Sequence, residues 1–112
     1  GLLSKYSVGI YSTTPVEWKP DRSAQLQAQV GQAPTVPVTE HADGPATVET
    51  YTVRRDGGKL TGIIIGRLDA DQRRFLATTE DDDLIAVLTD DDPLGQSVVV
   101  RSFDYGNRCS LG

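Results

Sequence analysis

The chain reads as mainly β: an OB-like, small Greek-key β-barrel preceded by an N-terminal extension. Three observations predict this class. Two β-branched runs, "ATVETYTVRRD" and "KLTGIIIGRL", are joined by glycines after Asp56, a hairpin signature. A single amphipathic stretch, "EDDDLIAVLTDDDP", interrupts the strands after the third and before the fourth. Gly62 and Gly66 punctuate the second strand, where a strand must coil sharply around a small barrel. The order strand, strand, strand, helix, strand, strand is that of an OB barrel.

The elements follow in chain order. Tyr6, Val8 and Ile10 alternate with Ser7 and Gly9 in the period of a half-buried strand, which Ser12 to Pro15 ends. Trp18 lies between two prolines in a connector, where it is expected to dock as an anchor. Ser23 is placed to cap a short helix over Ala24 to Val30, with Leu26 and Val30 on one face and Gly31 at its end. "QAPTVPVTEHADGP" carries three prolines and reads as an extended linker outside the core. The Asp56-Gly57-Gly58 hairpin, a turn at Asp69 to Gln72 and the run "RRFLATT" then complete three consecutive strands. Leu84, Ile85 and Leu88 share one helical face, Thr79 and Asp82 have capping-box spacing, and the acidic first turn suits the helix dipole. Pro93 stops the helix. Val98 to Val100 form a strand, Asp104 to Asn107 a turn with Gly106 available for positive φ, and a short strand around Cys109 closes the chain.

A length of 112 residues suits one compact domain plus an extension. The absence of methionine predicts that the chain is a fragment or the mature end of something longer. One cysteine, Cys109, forms no internal disulfide, so a cytoplasmic location is the default expectation. No apolar run has the length of a membrane span, and none has the flanks of a signal peptide. A net charge of −5 opposes nonspecific binding to nucleic acid or anionic membrane.

Candidate chemistry is sparse. Nucleophilic catalysis requires a nucleophile with a base in reach, and the sequence offers one Cys and one His, His41, with nothing to bring them together. An autonomous hydrolase or transferase therefore requires His41 or Cys109 to approach a second polar group. The runs Glu80 to Asp83 and Asp90 to Asp92 lack the spacing of a calcium loop and are explained by capping and turns, so no metal is expected. Arg54, Arg55, Lys59, Arg67, Arg73 and Arg74 fall in the first three strands and their turns, predicting a barrel that is basic along one sheet and acidic at the helix ends. Such a sheet could meet the phosphates of a nucleotide or coenzyme A, or single-stranded nucleic acid, or form a solvated edge or interdomain surface. Nucleic-acid binding needs exposed aromatics, whereas Tyr51 and Phe75 face inward by alternation.

The opening "GLLSKYSVGIYSTTP" resembles the last core strand of thiolase-like proteins, in which a Gly-rich turn leads into a Lys and a strand reading G-[IV]-Y-S-T. "YTVRRDGGKLTGIIIGRLDADQRRFLATT" and the terminal "GN" resemble the additional C-terminal domain of SCP2-thiolase-like proteins of type 1, a resemblance that implies a parent of the acetyl-CoA acetyltransferase kind with a role in lipid metabolism. The resemblance is strongest over residues 1–15 and 46–112. It implies that 1–15 form the last strand of an upstream thiolase core, 16–45 a connector with a short helix, and 46–112 the OB-like barrel. None of the thiolase catalytic motifs matches a position here, so Cys109 is not the thiolase nucleophile, and Tyr6 stands where relatives often carry a His after the Lys.

The resemblance implies a noncatalytic accessory domain that docks on its thiolase-like core and assists recognition of acyl-CoA or of a small partner protein. Arg54, Arg67 and Arg73 are the expected contacts to coenzyme A phosphates. The domain itself is expected to carry no cofactor and no catalytic residue, coenzyme A or acyl-CoA entering through the parent, which the resemblance implies to be a thiolase-like acetyl-CoA acyltransferase. No membrane or nucleic-acid partner is expected. The alternative is an OB-type module for nucleotides or single-stranded nucleic acid.

Overall fold

The computed structural model describes residues 3–112. The chain divides into two units, Gly1–Pro34 and Thr35–Gly112. In the first, residues 3–22 carry no helix or strand, and the helix α1 spans Ser23–Gly31. Gly1 and Leu2, the start of the expected opening strand, lie outside the described residues. Tyr6, Val8 and Ile10 are exposed rather than half-buried. A strand needs a partner ladder for its backbone groups, and these residues show none. Trp18 is 79 % exposed, so the expected anchor is undocked among the described residues.

The cap of α1 also differs from expectation. Ser23 is the first helical residue, and the Asp21 carboxylate accepts from its backbone N at 2.9 Å. That carboxyl is held below its usual range, first by the Ser23 hydroxyl and then by the Ser23 backbone N–H. No side chain of α1 is buried.

The second unit is a closed barrel. Its elements are β1 (Gly44–Asp56), β2 (Lys59–Leu68), β3 (Arg74–Thr79), α2 (Asp82–Asp90), β4 (Ser97–Phe103) and β5 (Gly106–Ser110). The closed strand order is β1-β2-β3-β5-β4, with β1 also paired to β4. All pairs are antiparallel except β3 with β5, which meet in parallel at Ala77↔Asn107 and Thr78↔Arg108. This is the expected OB-like topology, with one helix between the third and fourth strands. The β1–β2 turn places Gly57 and Gly58 at φ 55° and 91°, the left-handed values of a two-residue hairpin.

Alternation in the strands decides what is core. Ala46, Val48, Ile64, Leu68, Phe75, Ala77, Val98, Val100 and Cys109 point inward with Leu84 and Leu88 of α2, and half-buried Tyr51 and Val53 pack against them. Gly62 and Gly66 do more than permit coiling. Gly66 pairs with Phe75, and a Cβ there would lie 2.7 Å from the ring; at Gly62 it would lie 2.6 Å from Thr79 and 2.8 Å from Leu88. The two glycines are the floor on which the largest core ring and α2 rest.

Two sequence expectations shift by a few residues. Asp81, not Thr79, caps α2: its carboxylate accepts from the backbone N of Asp83 and Leu84, while the Thr79 hydroxyl accepts from Asp81 N. The Pro-rich segment is also more than a linker, because Ala42 is fully buried in the core. Pro37 and Thr39 bond the backbone of Arg74 on both sides, at 2.8 and 2.9 Å. That contact covers the part of β3 that β5 leaves unpaired, so the barrel unit begins ten or so residues before its first strand.

Candidate functional site

The outer faces of β1, β2 and β3 form one surface. Alternation sends Ile63, Ile65 and Arg67 outward from β2 and Arg74, Leu76 and Thr78 outward from β3. In β1 the register slips between Val48 and Thr50, leaving Glu49 as the extra residue of a β-bulge. The bulge brings the Glu49 carboxylate to Arg67 and Arg74, which face each other across the β2–β3 pair. Oε1 accepts from Arg67 Nε at 2.5 Å and Oε2 from Arg74 Nε at 2.6 Å. Arg74 first, then Arg67, holds the Glu49 carboxyl below the usual carboxylate range against the opposing effect of desolvation.

Beside this triad runs an apolar stripe. A shallow groove of about 160 Å³ is lined by Thr50, Tyr51, Thr52, Ile63, Ile65 and Leu76. A second, of about 200 Å³, continues over Val38, Ile65, Phe75 and Leu76 to Arg74. Leu76 is 59 % exposed and Val38 more so. Exposed aliphatic side chains bordered by arginines have the makeup of a protein contact surface.

The structure does not bring the three expected phosphate contacts together. Arg54 opposes Thr61, six residues from Arg67 along β2, a separation of roughly 20 Å. Each already meets a carboxylate: Arg54 with Asp56 at 2.7 Å, Arg67 with Glu49, and Arg73 with Asp71 at 2.7 Å. Lys59 likewise pairs with Glu80 at 3.0 Å. The sheet that is basic in sequence is largely neutralised in three dimensions.

Of the catalytic candidates, Cys109 is buried in the core, and burial pushes its thiol up to about 12, far from a thiolate at neutral pH. His41 does approach a second polar group: its Nδ1 lies 3.1 Å from Ser102 Oγ. The nearby Asp43 carboxylate accepts from the backbone N of Ser102 rather than from the imidazole, so among the described residues no bond is made that would orient the ring as in a hydrolytic triad. Among the described residues, no cluster of three or more His, Cys, Asp or Glu is placed to hold a metal, and no helix is long and apolar enough to cross a membrane.

The β4–β5 hairpin carries the exposed aromatics that the basic sheet lacks. Phe103 and Tyr105 stack with ring centroids 5.3 Å apart and planes 8° from parallel. The Arg108 guanidinium lies 5.2 Å from the Tyr105 ring centre and donates to the Thr78 hydroxyl.

The geometry is that of a closed barrel with an apolar stripe on its outer face, and comparison with known proteins finds the same fold. The family model described as the thiolase-like protein type 1 additional C-terminal domain matches residues 25–104. The chain belongs to this family. A crystal structure of a monomeric SCP2-thiolase like protein type 1 from Mycobacterium smegmatis is similar at 52 % identity and a TM-score of 0.82, over 90 % of this chain and 22 % of that one. The chain thus spans under a quarter of that relative's length. No curated protein matches it.

Sequence reasoning missed three features of this additional domain. Glu49 sat in a run of alternating residues, where a bulge leaves no mark. Ser102 gave no sign of meeting His41, 61 residues earlier. The aromatic pair was visible as Phe103 and Tyr105 flanking Asp104, since two residues at that spacing around a tight turn can meet.

Proposed function

We propose that this additional domain does no chemistry of its own and docks on the thiolase-like core of its parent polypeptide through the outer face of β2 and β3. The observation that supports this reading is the apolar stripe on the outer face, with Leu76 and Val38 exposed and Ile63 and Ile65 half-buried between them. The Glu49–Arg67–Arg74 triad at its border is fixed in place and keeps unused guanidinium N–H groups for a partner's carboxylate or carbonyl oxygens. The parent is an acyl-CoA protein of the acetyl-CoA acetyltransferase kind in this reading, working in the cytoplasm. Arg54, Arg67 and Arg73 each already have a carboxylate neutralising their charge and do not converge on one point, so docking is the stronger role.

The test is a titration of the domain into its separately produced thiolase-like core. Saturable binding is expected, weakened at least tenfold by Leu76→Asp, which places a charge in the stripe at an exposed position and leaves folding intact. Unchanged affinity for Leu76→Asp combined with Ile65→Asp would remove this face from the interface. The noncatalytic half of the reading has its own check. Ester hydrolysis by the domain is expected to stay at the uncatalysed rate and to be the same for Ser102→Ala; a rate above background that vanishes in Ser102→Ala would make the His41–Ser102 pair catalytic.

A further inference from the structure

The barrel contains two pairs of arginines placed directly opposite each other on neighbouring strands. Arg67 opposes Arg74, and Glu49 bridges them. Arg101 opposes Arg108, and among the described residues neither forms an ion pair. Like charges facing each other across a ladder are destabilising unless something lies between them. Both side chains project from the outer face, because their neighbours Val100, Asn107 and Cys109 are the buried ones. Arg108 is steadied by Thr78 and by the Tyr105 ring, whereas Arg101 is exposed. Glu80, itself paired with Lys59, acts on Arg108 only through longer-range attraction, so the second pair is a positive site with no carboxylate bridging it.

Aromatic surface adjoins it. Phe103 follows Arg101 by two residues on the same face, and Tyr105 stacks on Phe103 at 70 % exposure. Opposite Phe103 stands Gly106, at φ 121°, and the space a side chain would fill there is open. The result is an open surface on which two rings held parallel adjoin two guanidinium groups. Arg101 and Phe103 are separated by roughly 7 Å along the strand, comparable with the distance from a base to its 5′-phosphate.

We propose that the tip of the β4–β5 hairpin binds a nucleotide, its base extending the Phe103–Tyr105 stack and its phosphates lying between Arg101 and Arg108. Stacking accepts any base because every base has a π-face, and the arginine fork suits phosphate oxygens. A long nucleic-acid strand is disfavoured by the chain's net charge of −5. The site adjoins the docking face through Thr78, which holds Arg108 and lies opposite Ile63, but it includes none of Val38, Ile63, Ile65 and Leu76 and is tested on the 112-residue chain alone, so it stands or falls separately from the proposed function.

The experiment is a titration of the isotope-labelled 112-residue chain with ADP, followed by amide NMR shifts at low and physiological ionic strength. Shifts concentrated at residues 101–108 are expected, with affinity falling as salt rises. Adenosine and ribose 5-phosphate should each bind about tenfold more weakly than ADP, as should ADP to Tyr105→Ala. Arg101→Glu gives the sharpest readout, because it turns a repulsive pair into an attractive one: ADP binding should disappear while the melting temperature rises by a few degrees. Coenzyme A is titrated alongside to separate two sources of the same chemistry. Tighter binding than ADP at the same residues identifies the adenosine phosphate portion of the coenzyme, and equal binding identifies free nucleotides. The proposal fails if millimolar ADP leaves residues 101–108 unshifted, if Arg101→Glu binds ADP normally, or if an oligothymidylate binds more tightly than ADP.

Discussion

Gly66→Ala is expected to destabilise the barrel by about 2–3 kcal/mol, a fall in melting temperature of roughly 10–20 °C. The added methyl would lie 2.7 Å from Phe75 Cζ and 2.9 Å from the carbonyl oxygen of Thr47. Neither neighbour can yield cheaply. Phe75 is 1 % exposed and is the largest fully buried side chain, and Thr47 is held in two ladders, paired with Arg67 on one side and Ser97 on the other. Moving either therefore disturbs both the core and the seam between β1 and its neighbours. A partial rescue is expected from Gly66→Ala with Phe75→Leu, because a smaller side chain returns the space the methyl takes. Gly31→Ala, at the end of α1 with open space around the new methyl, serves as the control and should not lower stability. Thermal melts by circular dichroism decide the matter. A Gly66→Ala melt within two degrees of the parent would mean that the ring does not rest on this glycine.

What was legible in the sequence was whatever is decided locally. The Asp56-Gly57-Gly58 hairpin declares itself because only glycine enters both left-handed positions without strain, and the inward set of β2 declares itself through strict alternation. The family resemblance lay in the same local motifs. What was not legible depends on register between distant strands. The arginines of the first three strands were visible, but their neutralisation was not, since Glu49 reaches Arg67 and Arg74 only because a bulge turns it outward 18 and 25 residues away. Ala42 carried no periodic signal among prolines, yet it is in the core because the segment around it is tied to Arg74 and Asn107. The helix cap was misplaced by two residues because an unbroken acidic run offers several equivalent capping groups.

Asn107 is the residue whose importance the sequence hid most completely, because asparagine beside glycine reads as a turn former. In the barrel it is the first residue of the short parallel β3–β5 contact, and its side chain is 6 % exposed. The amide oxygen accepts from Ala42 N at 3.1 Å, and the amide nitrogen donates at 3.0 Å to both Glu40 O and Leu76 O. One side chain thus ties together the incoming segment, β3 and β5 where only two residue pairs close the barrel. Asn107→Leu, close in size but without polar atoms, is expected to cost about 2–4 kcal/mol, since it leaves the buried Ala42 N–H and the Leu76 carbonyl without their partner. Asn107→Asp separates the two halves of the role: it keeps an acceptor for Ala42 N but loses both donations and places a charge against two carbonyl oxygens. It should therefore be at least as damaging as Asn107→Leu at neutral pH and recover partly on acidification, when a protonated carboxyl can donate again. Hydrogen exchange adds a local readout, because loss of the tie should release protection first at Ala42 and along β3 and β5, while the β1–β2 hairpin stays protected. Uniform loss of protection across all five strands would instead make barrel closure inseparable from the fold as a whole.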